Sequence, residues 1–361
     1  MRVPLMRVPT EQVPAGMQVY HRVRAHSFCL VPLLLVCAFV LGSCASGDVA
    51  DLTLTSQEVK AQQSTVTYLK PSADDPDCVD AKESYSPTPP EFRGFGLKPV
   101  QTTSARLTEI RQRGYLLAGV DQDTYLFGYR SPQSKEIEGL DIDVLKAVAK
   151  RIFGSDDPRH LRLKAIKYAD RIGSIVRGPK NNGVDIVADT FTMNCSRWSL
   201  INFSSQYYDA AQKILVLASS TAKGLPDLSG KKVCAAKGST SVDNLRDKNP
   251  AVLIVEVTDQ TDCLLRLQSS QIDAISTDDT ILLGLKAQDP TLKLLPDAFS
   301  PEPYGLGLPK DDRTFTRYVN AVLEEMRANG EWKALYTKWI GLKTSVDAEA
   351  PQAKYRSEVV G

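Results

Sequence analysis

Histidine is scarce in this chain, with three in 361 residues. His21 and His26 stand near the N-terminus, which leaves His160 alone in the body of the chain, in the polar turn "SDDPRHLRLK". A Ser/His/Asp or Cys/His nucleophile system would rest on that one residue, and a histidine-rich metal site is excluded. An excess of one charge is also missing. Lys and Arg number 44 against 43 Asp and Glu, a net charge of +1, so no field suited to nucleic acid exists. The glycine-containing stretch "GSTSVDN" lacks the GxxxxGK[ST] spacing of a phosphate loop. No repeat of 20–50 residues is visible. What is present is ordinary globular composition, 42% hydrophobic and 24% charged, enough for a large core and two domains.

Near the start stands "HRVRAHSFCLVPLLLVCAFVLGSCASG". Arg22 and Arg24 form a basic leader to an apolar run of about 13 residues, Phe28 to Val40. That length is short for a bilayer span and right for a signal peptide. The run ends in Leu41-Gly42-Ser43-Cys44, which resembles a bacterial lipobox. The expectation is a signal peptide over 1–43, with Cys44 lipidated. The protein is then anchored to the cell membrane on its extracytoplasmic face. An uncleaved anchor helix is the alternative, and it places the rest of the chain on the same side. Met17 gives a leader of more usual length than Met1.

Export makes disulfides the expected state of the remaining cysteines. Cys78, Cys195, Cys234 and Cys263 are widely spaced and match no zinc pattern. Cys234 ends the strand "KKVCAAKG" and Cys263 lies in the helical "TDCLLRLQSS", so these two are paired, leaving Cys78 with Cys195. This is one of three connectivities.

Residues 44–103 are polar and proline-dotted, with no sustained period, and read as a tether with a reach of about 40–45 Å. A disulfide at Cys78 would pin part of it to the folded domain. From Ser104, strands alternate with helices. "SARLTEIRQRG" is a capped helix ending at Gly114; "YLLAGV", "LRLKAI" and "VDIVADT" are strands; "LDIDVLKAVAKRIFG" and "RIGSIVRG" are helices. A second block repeats the alternation through "KILVLASS", "KKVCAA", "AVLIVEV" and "DAIST". Phe315, Tyr318, Val319, Val322, Leu323 and Met326 mark one face of a long helix that stops at Gly330. The alternation implies a largely parallel sheet with helices on both faces.

Ligands in such sheets sit beyond the carboxyl ends of the strands. The polar residues there are Asp121, Asp123 and Tyr125; Asp189, Thr190, Thr192 and Arg197; Lys237, Ser239, Thr240 and Ser241; and Thr277, Asp278 and Asp279. Arg197 can grip a carboxylate through two parallel N–H bonds. The amides around Ser239–Ser241 open a helix and favour negative charge as well. A carboxylate of the Asp278/Asp279 pair can hold an ammonium. Both charges occur together on the head of an α-amino acid. In this reading Asp278 caps or orients and Asp279 holds the amine.

The runs "DTFTMNCSRWSLINFSSQYYDAAQKILV", "GLDIDVLKAVAKRIFG", "GSTSVDN", "STDDTILLG" and "VNAVLEEMRANGEWKALYTKW" together resemble one family. They are similar to the polar amino-acid solute-binding proteins of bacterial ABC transporters, especially the glutamine/glutamate-binding lipoproteins of actinobacteria. The resemblance covers about residues 104–342. It implies an α/β, two-lobe periplasmic-binding fold of type II, with two crossover strands. Lobe one would comprise 104–208 plus 301–343, lobe two 209–300, and a polar tail 344–361. It further implies that Arg197 binds the α-carboxylate with Thr192 and the amides near Ser239 and Thr240, while Asp279 binds the amine.

Selectivity is left open between two arrangements. Arg171 could meet a side-chain carboxylate, or Asp121 or Asp123 could accept from an amide; Tyr125 lies where a stacking wall is expected. Glutamate, aspartate, asparagine or glutamine is the expected ligand, with the balance toward the first three. Closure of a monomer over a free amino acid and delivery to an ABC permease follow, with no cofactor, metal or nucleic acid. The alternatives are a sensing module that signals through a membrane partner, and a periplasmic dehydratase or lyase using Asp121 and Asp123.

Overall fold

The computed structural model describes residues 74–87, 104–344 and 347–357, all within one compact unit. The signal segment and Cys44 lie outside the described residues. No helix among the described residues is long and apolar enough to cross a membrane.

The first described element is the short strand β1 (Glu83–Ser84). Helix α1 (Ala105–Arg113) starts where Ser104 Oγ accepts from the Leu107 amide and stops at Gly114, whose φ of +83° ends the helix. Next come β2 (Leu116–Val120), the small strands β3 (Asp123–Thr124), β4 (Gly128–Arg130) and β5 (Ile137–Glu138), and α2 (Leu140–Phe153). They are followed by β6 (Leu161–Ala165), α3 (Arg171–Arg177), β7 (Ile186–Ala188), α4 (Cys195–Trp198) and β8 (Ile201–Phe203).

The chain then leaves this lobe on a ten-residue strand, β9 (Tyr208–Leu217). The second lobe holds β10 (Lys232–Ala236), α5 (Thr240–Lys248), β11 (Leu253–Val257), α6 (Gln260–Gln268), β12 (Ala274–Asp278), α7 (Asp279–Gln288) and β13 (Leu292–Leu294). Strand β14 (Ser300–Tyr304) runs back to β15 (Gly307–Pro309), α8 (Arg313–Ala328) and α9 (Glu331–Tyr336), and β16 (Lys354–Tyr355) is the last described strand.

Two sheets result. The first has the order β6-β2-β7-β15-β8, with β2 parallel to β6 and β7 and with β15 antiparallel to both neighbours. The second has the order β11-β10-β12-β9-β13, with β14 also paired to β9. β9 and β14 pair antiparallel from Tyr208↔Tyr304 to Gln212↔Ser300 and carry the chain between the lobes in both directions. The two crossover strands expected from the resemblance are therefore present.

Period-two alternation sorts each strand's side chains to opposite faces. Val233 and Ala235 pack with Val242 and Leu245, while Cys234 packs with Cys263, Leu264 and Leu267. Both expected disulfides form, Cys234–Cys263 and Cys78–Cys195. The long helix buries Phe315, Tyr318, Val319, Val322, Leu323 and Met326 as expected. It ends two residues before Gly330, and that glycine, at φ +79°, opens α9 instead.

Part of the segment read as a tether lies against the first lobe. Ala81 O accepts from Trp198 Nε1 at 2.9 Å, and Ser84 Oγ donates to Phe203 O at 2.7 Å. Lys310 Nζ meets Asp75 at 2.6 Å. Within the C-terminal segment read as a polar tail, β16 pairs in parallel with β1. Neither segment has a hydrophobic period. Hydrogen bonds, an ion pair, the buried Tyr85 ring and one disulfide hold the first of them, which a search for periodicity cannot reveal.

Candidate functional site

The segment after β7 and the start of α3 in the first lobe face the segment after β10 in the second, where Arg171 and Arg197 reach Gly238 O. A crevice of about 270 Å³ lies between them, lined by Tyr168, Arg171, Phe191 and Arg197 on one side and Gly238 and Ser239 on the other. Lys167 reaches across to Asp259 at 2.7 Å, so the lobes touch at the rim.

Arg197 is positioned by a short helix. Asn194 caps α4 by accepting from the Arg197 amide at 2.7 Å. The guanidinium donates through Nη1 to Thr192 O at 2.5 Å and through Nη2 to Gly238 O at 3.4 Å. Arg171 donates to three carbonyls: Tyr168 O and Asp189 O at 3.0 Å, and Gly238 O at 3.4 Å. Two guanidiniums thus converge on one carbonyl oxygen of the other lobe. Both lie over the Phe191 ring, 4.5 Å and 4.9 Å from its centroid. Burial, and then the neighbouring Arg171, lower the pKa of Arg197 to about 9. An anion placed between the two would relieve that repulsion.

The second lobe adds helix-start donors. No side chain caps α5, although Ser239 stands at its N-cap position. Ser239 Oγ turns back to Ala236 O, and Thr240 Oγ1 donates to Glu302 on β14 at 2.6 Å. Those two hydroxyls therefore donate within the protein. Thr192 O holds Arg197 and its residue bridges to Tyr304.

The adjacent aspartates divide differently from the expected roles. Asp279 Oδ1 accepts from the Thr280 amide at 2.9 Å and from the Ala211 amide at 3.3 Å, and its carboxyl bears on Tyr208 and Tyr336 at the crossover. Asp278 is 4% exposed and caps nothing. Its Oδ2 accepts from Tyr304 OH at 2.6 Å, and no described residue donates to its Oδ1. Glu302, Asp243 and Asp278 are the carboxylates that bear most on Arg197. Burial, then Glu302, pushes the Asp278 carboxyl well above the usual range, a penalty that an ammonium at Oδ1 would reverse. Asp278, expected to cap α7, makes no cap hydrogen bond, and Asp279, expected to hold the amine, takes one amide from the start of α7 and one from β9.

Two further expected residues have other partners. Asp121 accepts from the Gln122 and Asp123 amides on Oδ1, and from Thr124 Oγ1 and Tyr168 OH on Oδ2. Tyr168 OH also lies 2.9 Å from Thr124 Oγ1, and its one proton serves either that oxygen or Asp121. Tyr125 packs against Tyr129 and against Gly284 of α7, where a Cβ would lie 3.3 Å from it. Phe191, Tyr168 and Glu302 were absent from the expected set. Phe191 sits between Thr190 and Thr192 in the sequence, and alternation at the strand end is the signal that could have found it.

Among the described residues no group of three or more His, Cys, Asp or Glu is arranged to hold a metal.

Fold and site define a two-lobed binding protein of type II periplasmic architecture, its lobes joined by paired strands. Residues 116–342 match the family of bacterial extracellular solute-binding proteins, family 3, and the chain belongs to that family. The ABC transporter glutamine-binding protein GlnH of Bacillus subtilis is 35% identical over 235 residues, covering 65% of this chain and 84% of that one. The glutamate-binding protein GluB of Corynebacterium glutamicum is 31% identical over 241 residues, covering 64% and 80%. Among solved structures, an ancestral arginine-binding protein bound to glutamine is 30% identical with a TM-score of 0.58, covering 63% of this chain and 99% of that one. These relatives are binding proteins, not enzymes.

Proposed function

We propose that this protein captures a free amino acid with a polar side chain, of the glutamine and glutamate kind, and delivers it to an ABC permease from a lipid anchor at Cys44. The observation that carries the reading is the opposition of charge across the crevice. Arg197 and Arg171 converge from one lobe, and Asp278 offers an unpaired oxygen from the other. The α-carboxylate meets Arg197 and the first-turn amides of α5; the ammonium meets Asp278. Ligand bridges the lobes and selects the closed arrangement. The printed functions of the curated relatives, glutamine and glutamate binding, support the ligand class.

A thermal-shift screen of the twenty common amino acids tests this. The chain from Cys44 onward is the material to use, because Cys78 is bonded to Cys195. The expected result is a rise in melting temperature with one polar amino acid or a few. No shift with any of them would reject the reading. Copurification with a permease is expected, and copurification with a membrane sensor instead would reject the delivery step.

A further inference from the structure

Helix α4 carries Arg197 and is four residues long, Cys195–Trp198. A single turn is not stable by itself, so the position of Arg197 is set by what holds its neighbours. Those neighbours face two ways. Ser196 and Arg197 line the crevice, while Cys195 and Trp198 bind residues 74–87. Cys195 is bonded to Cys78, and its carbonyl accepts from the Asp75 amide at 2.9 Å. Trp198 is fully buried, and its Nε1 donates to Ala81 O at 2.9 Å. Its ring meets that of Tyr85 edge to face, with centroids 6.1 Å apart. Lys310 joins the two ends of this contact, donating both to Trp198 O and to Asp75 Oδ2.

Residues 74–87 are themselves held by the far end of the chain. β1 pairs with β16 through Glu83↔Lys354 and Ser84↔Tyr355, and the Arg356 amide donates to Ser84 O at 2.9 Å. The Arg356 guanidinium lies over the Trp198 ring, 4.2 Å from its centroid. Both segments lie outside residues 116–342, the stretch that matches the family. The link continues inward through aromatic contacts. Trp198 meets Phe203 at 5.6 Å, Phe203 meets Phe191 at 5.0 Å, and Phe191 is the ring over which both guanidiniums sit. A clasp built from two segments far apart in the chain thus grips α4 on either side of Arg197.

We infer that this clasp positions Arg197 for the ligand's α-carboxylate, with Cys78, Cys195 and Trp198 as positioning residues. The inference deepens the proposed function and rests on its assignment of Arg197 to that carboxylate. A guanidinium grips a carboxylate best through two parallel bonds, which demand one fixed orientation. Donors fixed before the ligand arrives cost no ordering on binding. Opening the clasp frees α4 at Cys195 and Trp198, and the grip on the carboxylate weakens. Asp278, which meets the ammonium, stands on β12 of the other lobe and takes its hydrogen bond from Tyr304, outside the clasp. The amine end of the ligand is therefore held as before.

Calorimetric titration of L-glutamine and two analogues into the wild type and into Cys78→Ser/Cys195→Ser tests this. One analogue is amidated at the α-carboxyl, the other acetylated at the α-amine. In the wild type each is expected to bind at least about 30-fold more weakly than glutamine. In the variant the penalty for amidation is expected to fall at least about fivefold, while the penalty for acetylation stays within about twofold. A ratio of two affinities in one protein cancels any shared loss of stability. Trp198→Phe, which removes the indole donor and keeps a ring, serves with the same readouts if the first variant does not fold. An unchanged amidation penalty, or equal falls in both penalties, makes the clasp a structural support alone and overturns the inference while leaving amino-acid capture standing. A wild type indifferent to amidation overturns the assignment of Arg197 and the inference with it.

Discussion

Asp278 and Asp279 are adjacent in the chain, yet their carboxylates meet different partners. Asp279 is tied to two backbone amides; among the described residues the Asp278 carboxylate takes its hydrogen bond from Tyr304 alone, and it bears on Arg197. Asp278→Asn is therefore expected to weaken amino-acid binding at least about 30-fold, as truncating one partner of a buried charge pair costs about 2–5 kcal/mol. Asp279→Asn should leave affinity within about threefold and lower stability by about 0.5–3 kcal/mol, as weakening hydrogen bonds from backbone amides to a carboxylate does. Calorimetry on both variants, with chemical denaturation of the second, checks the division. Affinities that move in the opposite order would restore the amine to Asp279. The sequence showed that one of the pair is surplus to capping. It did not show which, because that depends on which carboxylate the Ala211 amide of β9 and the Thr280 amide reach, a matter of ångströms at the end of β12.

At the scale of elements, closure depends on a turn. Gly238 sits between β10 and α5 at φ +79°, and a Cβ there would lie 2.6 Å from Ala169 Cα on the opposite lobe. Gly238→Ala is expected to hold the lobes apart and weaken binding at least about tenfold, since only the closed fraction binds. Small-angle scattering should then show no ligand-induced contraction, while the wild type contracts. Equal contraction in both would mean the approach at Gly238 does not limit closure. Much at this scale was legible. The β-α alternation, the buried stripe of α8 and both disulfides followed from period and from cysteine placement. Register across the lobes was not, because β9 pairs with β12, β13 and β14, segments roughly sixty to ninety residues away, through backbone groups that carry no sequence signal. The docking of residues 74–87 was hidden for the same reason.

For the whole molecule, the acidic groups behind the crevice link stability to pH. Burial pushes the Asp141 carboxyl up to about 6. An unfolded aspartate titrates at about 3.9. Between those values the folded chain keeps a proton that the unfolded chain has released. The contribution is therefore full below about pH 4 and is lost as pH rises to about 6, a change on the order of 3 kcal/mol. Urea denaturation at about pH 4.5 and about pH 7 should show that part of the pH slope missing in Asp141→Asn. An identical slope in variant and wild type would remove Asp141 from the linkage.

The clamp on the amino-acid head is tested most directly with the ligand rather than the protein. L-glutamine should be titrated into the wild-type chain beside two analogues, one acetylated at the α-amine and one amidated at the α-carboxyl. Arg197 and Asp278 each need their own end of the head group charged, so each analogue is expected to bind at least about 30-fold more weakly than glutamine. Analogues that bind as tightly as glutamine would contradict the account.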